Sequence, residues 1–159
     1  MPRKVTKSLQ RRLNPDRKYQ SILVQRLINK SMLDGKKLLA ERAVYSALET
    51  AAKKLKSEDP LEVFEKALKN IQPNFEVKSR RVGGANYQIP FPIQGHRQNH
   101  YAYMWLVQAA RARKGMPYDQ RLAAEIVDAY NEAGAAFKKK EDTHKMAEAN
   151  RAFAHFARG

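Results

Sequence analysis

Apolar residues recur three and four positions apart along most of this chain, and the pattern breaks only once, between about residues 74 and 91. Leu23, Val24, Leu27, Ile28 and Met32 fall on one helical face, which Asp34-Gly35 stops. A second helix starts near Lys36 and lines its core face with Ala40, Val44, Ala47, Leu48, Ala51 and Leu55. Lys53, Lys54 and Lys56 load its end, where cations suit the helix dipole. Pro60 opens a third helix at a first-turn position, with Leu61, Phe64, Leu68 and Ile71 as its stripe, and Pro73 ends it. The spacing returns over roughly 95–113, with Tyr101, Trp105 and Ala109 inward. It returns again after Pro117, through Leu122, Ala123, Ile126, Val127 and Tyr130. Beyond Gly134 a last helix is expected to hold Met146, Ala149, Asn150 and Phe153, with Lys138-Lys139-Lys140 on its approach. Stripes of this kind are buried by packing helix on helix. The expected fold is mainly α: a six-helix bundle with one protruding β-hairpin and a basic N-terminal arm. A chain of 159 residues suits one such domain.

The exception is a pair of strands around Gly83-Gly84. A two-residue Gly-Gly turn would pair Lys78 with Ile89 and Arg80 with Tyr87, mixing charge and apolar groups on one face. A three-residue loop, Arg81-Val82-Gly83, pairs Val77 with Tyr87 and Phe75 with Ile89 and gives one apolar face, so it is the expected register. Either way Arg80 and Arg81 lie at or beside the tip. A lone two-stranded hairpin is marginal in water, so a partner is expected to steady it.

Lys and Arg number 31 against 16 acids, a net charge of +15. Such an excess strains the compact state and favours a polyanionic partner, which admits nucleic acid or an anionic membrane. No apolar run approaches a membrane span, which needs about 18 residues. The opening Met1-Pro2-Arg3-Lys4 has no apolar stretch, so no secretory signal is expected. The absence of Cys excludes disulfides and thiolate metal sites. Residues 1–18 form the expected arm, carrying Arg3, Lys4, Lys7, Arg11, Arg12, Arg17 and Lys18 against a single acid, Asp16. Residues 19–159 form the helical body. Other basic groups are Lys36-Lys37, Lys78-Arg80-Arg81, Arg111-Arg113-Lys114 and Lys138-Lys139-Lys140. They sit at a hairpin tip and at helix ends around what reads as an uncharged core. Arg forks match phosphate, and Gly83 and Gly84 let backbone approach a groove closely.

Catalytic patterns are sparse. His96 and His100 stand at i, i+4, but no third ligand and no zinc-protease signature accompany them. His144 follows Glu141-Asp142, which a surface charge pattern explains more simply than catalysis. Val82-Gly83-Gly84-Ala85-Asn86 lacks the Gly-Lys-Ser/Thr of a phosphate-binding loop. Trp105, at helical spacing from Tyr101, reads as core rather than as a stacking platform for bases. No enzyme activity, metal or cofactor is expected. A DNA-compacting protein would need a recognition helix or a dimer seam, and neither is evident.

Three long strings resemble the small-subunit ribosomal protein S-seven family. They are Asp34-Gly35-Lys36-Lys37 with Ala43-Val44-Tyr45-Ser46-Ala47-Leu48-Glu49, then Val77-Lys78-Ser79-Arg80-Arg81-Val82-Gly83-Gly84 with Tyr87-Gln88-Ile89-Pro90, then Lys138 through Phe156. The resemblance covers nearly the whole chain. It implies six helices with a protruding hairpin, and a structural role in translation. It implies binding to the 3′ major domain of small-subunit rRNA, nucleation of head assembly, and a place near the mRNA exit channel and the exit-site tRNA. Partners would be neighbouring head and platform ribosomal proteins, with no membrane and no homo-oligomer. The setting would be a cytoplasmic ribosome, an organellar one remaining open.

The RNA contacts that the resemblance implies are Arg3, Lys4 and Arg11 in the arm, Lys36 and Lys37, then Lys78, Arg80, Arg81, Gly83 and Gly84 in the hairpin. Near the C-terminus they are Lys138, Lys139, Lys140, His144, Asn150, Arg151 and His155. The basic clusters add Lys7, Arg12, Arg111, Arg113 and Lys114. The family's Arg-rich turn into the fourth helix is here Gln94-Gly95-His96-Arg97-Gln98-Asn99-His100, with Arg97 as the compensating cation. The Arg that commonly precedes the Trp is Met104, and Gly115-Met116-Pro117-Tyr118-Asp119 replaces the family's Lys-Ser-Met. The arm buries too little of itself to offset its ordering entropy, so rRNA should order it. Limited proteolysis is expected to cut residues 1–12 readily in the isolated protein and slowly in complex with rRNA. Equal cutting in both would sink that expectation.

Overall fold

The computed structural model describes residues 13–158, so the arm residues Arg3, Lys4, Lys7, Arg11 and Arg12 lie outside the described residues. In chain order come α1 (Ile22–Ser31), α2 (Lys37–Leu55), α3 (Pro60–Ile71), β1 (Phe75–Val82), β2 (Ala85–Pro92), α4 (His96–Ala112), α5 (Tyr118–Tyr130) and α6 (Gly134–Ala149). A short 3-10 helix, Arg151–Arg158, follows. The mainly helical fold with one hairpin matches the expectation.

Local signals explain the starts of α1 and α3. The Ser21 hydroxyl accepts the Leu23 N–H at 3.2 Å, and Asp59 accepts that of Leu61 at 2.8 Å with Pro60 next in line. Each cap stabilises its helix by about 1 kcal/mol. α5 lies at the centre, packed against α2, α3, α4 and α6. Its Leu122, Ala123, Ile126 and Ala129 have no solvent contact, nor do Ala47 and Ala51 on α2 or Ala67 on α3. Alanines at these positions let helices approach closely, and Phe64, Leu68 and Leu106 fill the remaining space. Trp105 is buried, as its spacing implied, with its ring 5.4 Å from that of Tyr101.

The core is not uncharged, contrary to expectation. Glu125, on α5, is fully buried, and Asp16 and Glu76 nearly so. Asp16, the one acid of the expected arm, accepts the backbone N–H groups of Lys18, Tyr19 and Ser21 and the Tyr45 hydroxyl. The chain is thereby tied to α2 before α1 begins. Burial alone would push the Asp16 carboxyl up; these hydrogen bonds outweigh it and hold the carboxyl below its ordinary value.

Two boundaries differ from the expectation. α6 begins at Gly134 itself, so Lys138, Lys139 and Lys140 lie inside the helix rather than on its approach. It ends at Ala149, and Asn150 caps it while Phe153 falls in the 3-10 helix. The hairpin register is also corrected. Lys78 faces Ile89, Arg80 faces Tyr87 and Val82 faces Ala85, which is the two-residue turn. Gly83 and Gly84 both have positive φ, +57° and +91°, which the favoured tight hairpin turn demands at its two central positions. Mixed charge on one face is tolerated because Glu76 pairs with Lys78, and because the 3-10 helix covers β2 with aromatic rings. Tyr87 packs at 5.0 Å from Phe153 and 5.4 Å from Phe156. The hairpin is therefore steadied in its tip half by the chain's own C-terminal segment, and Ile93 N–H closes its base on the Asn74 carbonyl at 3.0 Å.

Gly134 sits at φ +88°, where a Cβ would stand 2.9 Å from the Asp128 Cβ and 3.0 Å from the Glu125 carboxylate. Gly134→Ala is expected to destabilise the protein by about 1–3 kcal/mol. The readout is a lower urea midpoint at unchanged slope; an unchanged midpoint would show that the start of α6 relaxes at no cost.

Candidate nucleic-acid interface

At the hairpin base, Glu76 collects three partners. Lys78 Nζ lies 2.8 Å from its carboxylate, Arg97 Nε 2.6 Å, and the Tyr101 hydroxyl donates at 2.7 Å. Burial pushes the Glu76 carboxyl up, but the bonds from Lys78, Arg97 and Tyr101 prevail and hold it below its ordinary value. Lys78 also stands over the Phe91 ring at 4.9 Å. Lys78 and Arg97 are thus fixed in place, yet their side chains remain half exposed, at 50% and 52%. Two cations share one carboxylate, so the hairpin base keeps a net positive charge facing outward. Arg80 donates to the Phe156 carbonyl at 3.0 Å, and Arg81, Gly83 and Gly84 are exposed at the tip.

The α1–α2 connection shares one groove of about 360 Å³ with the end of α4 and the start of α5, distant in sequence. Lys36, Arg111 and Arg121 line it beside Leu33 and Leu39. Lys37 and Lys114 are exposed nearby in the chain. Arg113, expected to face RNA, turns inward instead: it bonds Glu125 at 2.8 Å through Nε and also pairs with Asp128. Two of its three guanidinium nitrogens are engaged within the protein.

On α6, Lys138 and Lys139 are exposed, whereas Lys140 donates to the Asn70 carbonyl at 2.6 Å. His144 does not pair with Glu141 or Asp142. Its Nε2 accepts the Asn74 N–H at 3.0 Å, holding the entry to β1. That role requires a neutral ring, and burial, with the Lys140 charge behind it, lowers the His144 pKa accordingly. Asn150 donates to the Met146 carbonyl, Arg151 is exposed, and His155 donates to the Ala152 carbonyl while packing on Phe156. Phe75, Phe91 and Ala147 form the apolar lining of a cleft of about 870 Å³, with His144 and Arg151 at its edge.

The expected contacts therefore divide. Lys36, Lys37, Arg81, Lys114, Lys138, Lys139 and Arg151 face outward, while Arg113, Lys140 and His144 hold the fold. Sequence reasoning missed a further cleft in which Arg26 and Lys30 of α1 face His96 and His100 of α4. Each pair has i, i+4 spacing, but the juxtaposition of the two helices left no sequence signal. Among the described residues, no cluster of three or more ligating side chains exists, and no helix is long and apolar enough to cross a membrane.

Residues 2–151 match the family model for ribosomal protein S7p/S5e. The chain is 56% identical over 148 residues to small ribosomal subunit protein uS7 of Chloroflexus aggregans, covering 93% of this chain and 94% of that protein. It is 53% identical to uS7 of Chloroflexus aurantiacus over 159 residues, 99% of each chain. With uS7 of Thermotoga neapolitana it shares 54% over 146 residues, 92% of this chain and 94% of the other.

A depressed carboxyl stabilises the fold above its unfolded pKa and loses that contribution as pH falls through the folded one. Glu76→Gln is thus expected to cost about 1–3 kcal/mol at pH 7. The difference should begin to shrink as pH falls below the ordinary range of a Glu carboxyl, about 4.3, and vanish only below the depressed folded value. Urea denaturation of both proteins at pH 7 and pH 3.5 checks it; a constant difference would assign the cost to packing.

Proposed function

This chain belongs to the ribosomal protein S7p/S5e family, and from that premise we propose that it binds the 3′ major domain of small-subunit rRNA and nucleates assembly of the subunit head. The family role is structural and non-enzymatic, within the small ribosomal subunit. The observation that carries the reading is the match of more than half identity over nearly the full length to uS7 proteins. Our proposal extends to the neighbours: mRNA in the exit channel, exit-site tRNA, and head and platform proteins, in a cytoplasmic ribosome. Within the chain, residues 1–18 act as a basic arm and residues 19–159 as the body.

The mechanism is anchoring at several points. Arg3, Lys4, Lys7, Arg11 and Arg12 reach from the arm, Lys36, Lys37, Arg111 and Lys114 from the helix connections, and Lys78, Arg80, Arg81 and Arg97 from the hairpin and its base. Lys138, Lys139, Asn150, Arg151 and His155 supply the C-terminal edge. Folded RNA brings phosphates from separate strands together, and cations spread over a rigid body can meet several at once. Each neutralised phosphate releases counterions, which makes affinity fall steeply with salt.

The test compares an rRNA fragment of the head domain with duplex DNA across a salt series. Preference for the rRNA is expected, and Arg81→Gln and Lys37→Gln should each lower the salt slope by about one. Equal affinity for the two nucleic acids would overturn the proposal.

A further inference from the structure

We infer that the cleft between the C-terminal half of α1 and the N-terminal half of α4 binds one unpaired nucleotide of the RNA. Arg26 and Lys30 hold its phosphate, and the side-chain amides of Asn29 and Asn99 read acceptors on its base. This rests on the RNA-binding reading and deepens it.

The cleft measures about 340 Å³, and among the described residues no carboxylate lines it. That is near the lower end of small-ligand pockets, about 300 Å³, and suits a single nucleotide rather than a duplex. Arg26 and Lys30 project from one face of α1 because they are four residues apart. Arg26 Nη2 lies 3.5 Å from His96 Nδ1, so the guanidinium bridges toward the α4 wall. Arg97, the next residue, is held by Glu76 instead.

The two asparagines are oriented. Gln25 donates to Asn29 Oδ1 at 3.2 Å, and Gln72 donates to Asn99 Oδ1 at 2.6 Å. These bonds fix which way each amide points and leave its NH₂ group as the free donor. Amide, guanidinium and ammonium groups thus supply donors along the cleft, which favours a ligand that carries acceptors. A bare phosphate would use the cations but leave the rest of the cleft unused. The Tyr103 hydroxyl is turned away, donating to the Leu23 carbonyl at 3.2 Å, which leaves its buried ring and Leu13 as apolar wall. An anion attached to a planar, acceptor-edged ring fits all of these features, and an unpaired nucleotide is such a group. RNA loops and bulges expose bases in this way.

The test uses the full chain and the rRNA head fragment. In the wild-type protein, the side-chain NH₂ resonances of Asn29 and Asn99 should shift on RNA addition. Arg26→Gln/Lys30→Gln should lower the salt slope by about two. Asn29→Leu should weaken binding about tenfold with the slope unchanged. Circular dichroism confirms that each variant is folded, and the wild-type resonances need no variant. Binding by the wild type with unshifted Asn resonances and an unchanged slope in the double variant overturns the cleft and leaves the RNA function standing. No binding by the wild type overturns both. A free ribonucleoside monophosphate forms the second arm: if it saturates the cleft while the variants bind the rRNA fragment normally, the site serves a free nucleotide and the inference fails.

Discussion

Glu125 is a carboxylate without solvent contact on the helix against which α2, α3, α4 and α6 pack. An isolated charge there would cost several kcal/mol. Its charge is compensated from two sides. Arg113, at the end of α4, brings a guanidinium to one oxygen, and the Ala136 N–H, in the first turn of α6, donates to the other at 2.8 Å. One acid therefore fixes where α4 stops, how α5 is turned and where α6 begins. Gly134 belongs to the same constraint, because a side chain at that point would strike Asp128 and Glu125. The direction of α6 decides where its lysines stand and where His144 meets the hairpin.

The cations of this chain are consequently of two kinds. One kind satisfies buried acids and orphan carbonyls: Arg113 on Glu125, Lys140 on Asn70, and Arg97 and Lys78 on Glu76. The other kind keeps its charge toward solvent. Lys78 and Arg97 belong partly to both, since they are pinned by a buried carboxylate while remaining half exposed. That combination suits recognition: a positioned cation loses less side-chain entropy on meeting a phosphate than a freely rotating one. A chain with such an excess of base can turn some of it toward its own buried acids and still present a cationic exterior.

Much of this fold is legible in the amino-acid pattern alone. The helical stripes place all six α-helices, Pro60 and Asp59 mark the start of α3, and the spacing of Trp105 puts it in the core. The hairpin is legible too, but its register is not. The expected register assumes that one face must be apolar, whereas Glu76 and the C-terminal aromatic residues make the mixed face acceptable and the two glycines favour the tighter turn. Arg113 and His144 resemble RNA contacts in sequence because cluster and string alone do not say which way a side chain turns. Asp16 resembles a minor acid in a basic arm, and its four hydrogen bonds depend on a turn and on Tyr45 of α2.

By itself, the sequence determined the fold class, the break for the hairpin, the excess of positive charge and the family. These follow from periodicity, turn residues and long strings, which are properties of neighbours along the chain. Only the tertiary structure decided which cations stay outside, which register the strands take, and that Arg26 and Lys30 face Asn99 across a cleft. Those outcomes depend on groups far apart in sequence being desolvated together. A charge must then find a partner wherever the packing has placed one.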